Sequence, residues 1–182
     1  MKSKLTFAGA LTRIVLIAAA VFVPAAALFS GASPAPNPAP RSGDTGGHCV
    51  HVGGSIITNF GGVDANTTLG PATGDLRGAV AASLLTPPQP GPIVGGVQTV
   101  LFNVQHHWVT ESGDNIYFDH AVATTVPLSQ TRFAFINYPT HIVGGTGKFA
   151  GATGDLTNIG EADLVAGIAI RYGGQVCFAE QD

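Results

Sequence analysis

At 182 residues, 45% hydrophobic but only 10% charged, with a formal net charge of −3, the chain has room for one ordinary domain and some extensions. Its few lysines and arginines form no cluster, so a nucleic-acid partner is not expected, because affinity for phosphate backbones rests on clustered cations. The chain opens with Lys2, Lys4 and Arg13, then runs uncharged through IVLIAAAVFVPAAALF (residues 14–29) and leaves through the small residues SGAS. Basic start, apolar run and small-residue exit are the pattern of a secretory signal peptide. The run falls short of the about 20 residues a spanning helix needs, and Pro24 interrupts it. Cleavage near Ala32 is expected, giving a signal peptide over 1–32; an uncleaved anchor in the same orientation is the alternative.

Residues 33–47, SPAPNPAPRSGDTGG, alternate proline with small residues. Such a stretch favours extended polyproline-type chain and buries no core, so it is a Pro/Gly-rich linker. The folded domain is then expected over 48–182. With the leader removed, Arg41, Arg77, Arg132, Lys148 and Arg171 face all eleven acidic residues. A mildly acidic protein results, secreted or held in the cell envelope, with no membrane contact expected after cleavage.

Two cysteines, Cys49 and Cys177, stand at the two ends of that domain. In an exported chain an even pair so placed suggests a disulfide. Two free thiols or a metal pair are the alternatives, and the absence of CxxC spacing speaks against metal. Between the cysteines, Gly, Thr, Val, Ile and Phe dominate and helix signals are nearly absent. CVHVGGSIITNF, GGVQTVLFNVQHHWVTES, NIYFDHAVATTVPL, TRFAFINYPTHIV, GDLTNIGEADL and VAGIAIRYGGQVCF each read as a strand, and ESGDN (111–115) as a hairpin turn. GDLRGAVAASLL suits either a short helix or a strand. TPPQPGP (86–92) reads as a proline-rich loop, since proline cannot sit in a central strand. ATGDL occurs at 72–76 and again at 152–156 and is read as two equivalent strand starts. Short strands joined by such turns predict an all-β antiparallel sandwich or barrel.

HIVGGTGKFAGATGDL (141–156) is the stretch that most resembles a cofactor motif. Gly145 to Ala150 satisfy G-x-G-x-x-A, but that spacing binds a dinucleotide only where a helix starts, and GATGDLTNIG is no helix. A P-loop fails because Phe149 follows Lys148. The glycines instead suit a tight turn in which positive φ is affordable, Gly144-Gly145-Thr146-Gly147, with Phe149 as an apolar plug beneath it and Lys148 in solvent. Gly151 and Gly154 would let the next strand bend. No cofactor is expected.

These residues also resemble a known motif. IVGGTGKFAGATGDL is similar to the stretch shared by dirigent proteins and the allene oxide cyclase barrel, and ESGDNIYFDHAVATT resembles the Gly-Asp strand start of bacterial exported members of that group. The resemblance spans about residues 97–166. It implies an eight-stranded closed antiparallel β-barrel with a small apolar cavity, often trimeric, that acts on or guides small lipophilic molecules. It also implies isomerase- or cyclase-like chemistry if the barrel is catalytic. In those families the motif marks fold, and their catalytic residues do not align here residue by residue.

NVQHHWVTE (103–111) carries the most polar-aromatic strand. By period-two alternation Phe102, Val104, His106 and Trp108 share one face, read as directed to cavity or core, and Asn103, Gln105, His107 and Glu111 the other. An apolar setting would lower the pKa of His106. Asp119 and His120 are neighbours and are expected to face opposite ways, so an acid–base pair must come from different strands, Asp119 with His106 or with Arg132. Candidate pocket residues are therefore Phe102, His106, Trp108, Asp119 and Arg132. Metal is not expected, because His106 and His107 face opposite ways, as do His48 and His51. No serine sits in a nucleophile elbow. Two functions remain: a barrel that binds or steers a small hydrophobic molecule, or a non-catalytic envelope or surface module whose own side chains fill the barrel. Inward, unpaired Asp119, Arg132 or Asp163 would favour the first, and outward ones the second.

Overall fold

The computed structural model describes residues 48–180; the expected signal peptide and linker lie outside the described residues. Eleven strands follow in order: β1 (His48–Thr58), β2 (Thr67–Gly74), β3 (Gly78–Leu84), β4 (Gln89–Val94), β5 (Val97–Thr110), β6 (Asn115–Phe118), β7 (Ala121–Pro127), β8 (Arg132–Asn137), β9 (Pro139–Gly145), β10 (Thr153–Asp163) and β11 (Gly167–Phe178). All pair antiparallel. β3 and β4 lie end to end along one edge of the long β5, and β6 and β7 along its other edge. β8 and β9 likewise share the edge of β10. Eleven segments thus make eight staves, and β11, paired with both β10 and β1, closes them into a barrel.

Local chemistry explains where the staves break. Pro87 and Pro88 part β3 from β4, and proline cannot donate to a ladder. The stretch 86–92 is nonetheless not all loop, as expected from its prolines: Gln89–Val94 is a strand. It is tolerated because β4 pairs only with β5, leaving its outer edge free for Pro90 and Pro92. GDLRGAVAASLL resolves as strand β3, its small residues suiting a crowded wall. The two ATGDL copies are not equivalent. The first ends β2 and enters the turn to β3, whereas the second lies at the start of β10.

One end of the barrel is sealed. Trp108 stacks on Phe118 at 5.9 Å between centroids and meets Tyr172 edge-on at 5.3 Å. Its Nε1 donates to the Leu76 carbonyl at 2.9 Å, and the Leu76 amide donates to the Tyr172 hydroxyl, which donates in turn to the Thr73 carbonyl. Gly54 lies under that tyrosine. A Cβ there would sit 2.7 Å from Tyr172 Cε1, so only glycine leaves room for the ring. The glycine stretch finishes the seal. Gly147 adopts φ +53°, a single 3-10 turn spans Gly147–Phe149, and Phe149 is fully buried against Phe178. Thr146 latches this turn to β6, its hydroxyl accepting from the Asn115 amide at 2.8 Å. Lys148 is exposed and reaches back over the Phe149 ring. Cys49 and Cys177 face each other across β1 and β11 and are joined as a disulfide.

Candidate functional site

The candidate site is the barrel lumen. β5 supplies Phe102, Val104 and His106 on its inward face, with Trp108 deeper, in the alternation read from sequence. β3 adds Val80, β1 adds Ile56, and β11 adds Ile170, so the wall is mostly aliphatic and aromatic, with Thr58, Asn66 and Thr68 as further polar members. A cavity of about 50 Å³ lies among these side chains. It opens at the end opposite the seal, where Phe60, Leu84 and Leu164 form its partly exposed rim.

The polar heart of the lumen depends on an irregularity in the β8/β9 stave. Thr124 pairs with Asn137 and Thr125 with Phe135, which leaves Ile136 as an extra residue in a bulge. Phe133 is buried before it, while Tyr138, Thr140 and Ile142 are buried after it. The phase of alternation has reversed. Tyr138 therefore points inward, stacked on Phe135 at 4.9 Å. Asn158 of β10 holds the bulge: its amide N–H and its side-chain Nδ2 both donate to the Tyr138 carbonyl at 3.0 Å, and Nδ2 also reaches Thr140 Oγ1.

Tyr138 meets His106 across the lumen, hydroxyl to Nε2, at 2.7 Å. Burial, and secondarily the charge of His107, lowers the His106 pKa to about 4, so the imidazole is neutral at physiological pH. Burial also pushes the Tyr138 hydroxyl well above its ordinary range. Both partners are thus neutral. In the tautomer in which the Tyr138 hydroxyl donates to Nε2, the imidazole proton sits on Nδ1. That Nδ1 is buried and has no hydrogen-bond partner among the described residues. A buried donor left unmade is costly, and native structures rarely leave one without a reason.

Of the residues singled out in sequence, Phe102 and His106 line the cavity, and Trp108 lies in the seal beyond it. Asp119 and Arg132 are outside. β6 ends at Phe118 and β7 begins at Ala121, so Asp119 and His120 occupy a break and both face water rather than opposite ways. Neither Asp119 nor Arg132 pairs with His106. Arg132 instead donates to Glu161 on the outer wall. Asp163 accepts from the Val165 and Ala166 amides at the stave end. The sequence reading missed Tyr138 and Asn158. A Tyr-Pro dipeptide within an apolar run, a mark of strand interruption, was the available signal.

The lumen and its seal define a small closed antiparallel barrel, apolar inside, open at one end and holding one neutral His–Tyr pair. No protein-family model matches the chain, and no curated protein matches it. Among solved structures it is similar to the pterocarpan synthase dirigent protein GePTS1, at 15% identity and a TM-score of 0.34 over 84% of this chain and 100% of that one. A second, the pterocarpan synthase dirigent protein PsPTS1, is similar at 14% identity and a TM-score of 0.28 over 74% and 97%.

Proposed function

We propose that the barrel receives a small, largely apolar molecule in its lumen and orients it through one hydrogen bond from His106. The unpartnered Nδ1 of His106, a residue that lines this mostly apolar cavity, carries this reading, since a ligand carbonyl or ether oxygen reaching it would satisfy it. Steering fits the chemistry better than acid–base turnover of the isomerase or cyclase kind. At neutral pH the pair could act only with His106 as base and Tyr138 as acid, and a pKa near 4 makes the first a weak base while the upward shift makes the second a weak acid. The disulfide fits an extracytoplasmic location, secreted or in the cell envelope.

A second reading, the side-chain-filled envelope or surface module, is favoured by the cavity itself. About 50 Å³ is less than the 150 Å³ or so of an engineered apolar cavity that takes up benzene. Asp119, Arg132 and Asp163 also all lie outside the lumen. Binding would require Phe60, Leu84 or Leu164 to swing from the rim. Native mass spectrometry of the mature protein, purified from its own cells without detergent, separates the readings. Extra mass released on denaturation, and lost in a His106→Phe variant, is the expected result. An empty mass with no uptake from a panel of lipophilic ketones and ethers leaves the filled barrel.

A further inference from the structure

The two ends of the barrel differ in character. At the sealed end the connections 75–77, 111–114 and 146–152 carry Asp75, Arg77, Glu111, Asp114 and Lys148, and none exposes a large hydrophobic side chain. At the mouth every connection does. Val63 between β1 and β2 is 62% exposed, Ile93 at the β4–β5 hairpin 69%, Leu128 between β7 and β8 52%, and Val165 between β10 and β11 75%. Val94 and Val97 flank the hairpin tip and are exposed as well.

The charged groups near this rim are few, and each is hydrogen-bonded or paired. Asp64 accepts from the Asn66 amide and the Thr67 hydroxyl of its own loop, and Asp163 from Val165 and Ala166. Arg132 is paired with Glu161. No lysine stands on any mouth connection. Aliphatic tips from four separate segments, brought by the topology to one end of the barrel, form a ring of exposed apolar anchors.

We propose that this ring docks the mouth of the barrel onto an uncharged, zwitterionic lipid surface. The missing cations give no pull toward anionic lipid. Separate tips around a hollow cannot pack flat against an identical ring over the roughly 800 Å² per partner of a stable protein interface. A fluid lipid layer closes around each tip individually, as it does for amphipathic segments at membrane surfaces. This departs from the expectation that the released domain meets no membrane, which was drawn from the leader alone; the aliphatic tips come together only in the folded barrel. The inference does not rest on a ligand, because a filled barrel would dock equally.

Flotation of the barrel domain, Arg41–Asp182, with phosphatidylcholine vesicles tests it. That segment contains every strand of the described residues, their core and the disulfide. The domain is expected to float with the vesicles at low and high salt alike. An Ile93→Asp, Val165→Asp double variant should lose at least about tenfold in partition while keeping the wild-type unfolding midpoint, since each aliphatic anchor is worth about a decade. No flotation, or flotation that needs anionic lipid and disappears in high salt, would overturn the proposal. So would self-association in the ultracentrifuge that the same double substitution abolishes.

Discussion

Acid should destabilise this barrel through the buried imidazole of His106. In the folded state burial keeps the His106 pKa at about 4, whereas an unperturbed histidine titrates at 6.5. On unfolding the ring returns to water and takes up a proton at any pH below that value. A depressed folded-state pKa contributes stability that is complete above about pH 6.5 and drains away as the pH falls toward about 4. The gap between the two values corresponds to about 3 kcal/mol, a large share of the 5–15 kcal/mol or so that holds an ordinary domain. The assay is urea unfolding, disulfide intact, at several pH values between about 7 and 4, on wild type, His106→Phe and His106→Gln. Both variants remove the titrating group, so their stability should fall less steeply with acid, by up to about 1.4 kcal/mol per pH unit midway through the window. His106→Phe also strips Tyr138 of its partner. That lowers stability by about 1–3 kcal/mol at every pH, so the slope is the readout and the absolute level is not. Slopes in both variants equal to wild type would refute the placement of a neutral, desolvated His106 in the lumen.

Phe149→Ala removes the fully buried plug beneath the glycine turn and should cost about 3–5 kcal/mol in urea unfolding; a loss under about 1 kcal/mol would mean the turn seals nothing. Replacing Cys49 and Cys177 together by serine opens a loop of 128 residues' separation. Chain entropy sets that loss at about 4–5 kcal/mol, read as a lower urea midpoint that reducing agent reproduces in the wild type and leaves unchanged in the variant.

How much of this was legible in sequence depended on how far each inference had to reach. β5 could be read correctly, faces included, because its alternation runs unbroken from Phe102 to Trp108. The turn around Gly147 and the plug Phe149 were equally accessible, because glycine spacing and a lone aromatic are local signals. The short strands β2 and β4 escaped, since TTLGPATG and QPGPIV contain the residues that ordinarily end strands. They persist because neighbouring staves supply the pairing that their own propensity does not. Asp119 and His120 were set on opposite faces by reading one strand through a break, and parity does not survive one: after Phe118 the next buried position is Ala121.

The His106–Tyr138 pair shows the same limit from the other side. Counting by twos from Phe133 and Phe135 puts Tyr138 outside the barrel, and only the extra residue at Ile136 returns it to the lumen. Without that bulge the inward His106 would have neither nitrogen satisfied, a penalty a well-packed apolar wall gives no reason to bear. With it, one nitrogen is paired, and the backbone carbonyl displaced by the bulge is taken up twice by Asn158. The irregular stave and the buried pair are therefore one feature: the bulge exists at a cost in ladder pairing that the Tyr138 and Asn158 bonds offset. What they do not offset is the bare Nδ1. A barrel under selection for stability alone would replace His106 with phenylalanine and Tyr138 with leucine. Keeping the pair makes sense if the remaining donor has a use.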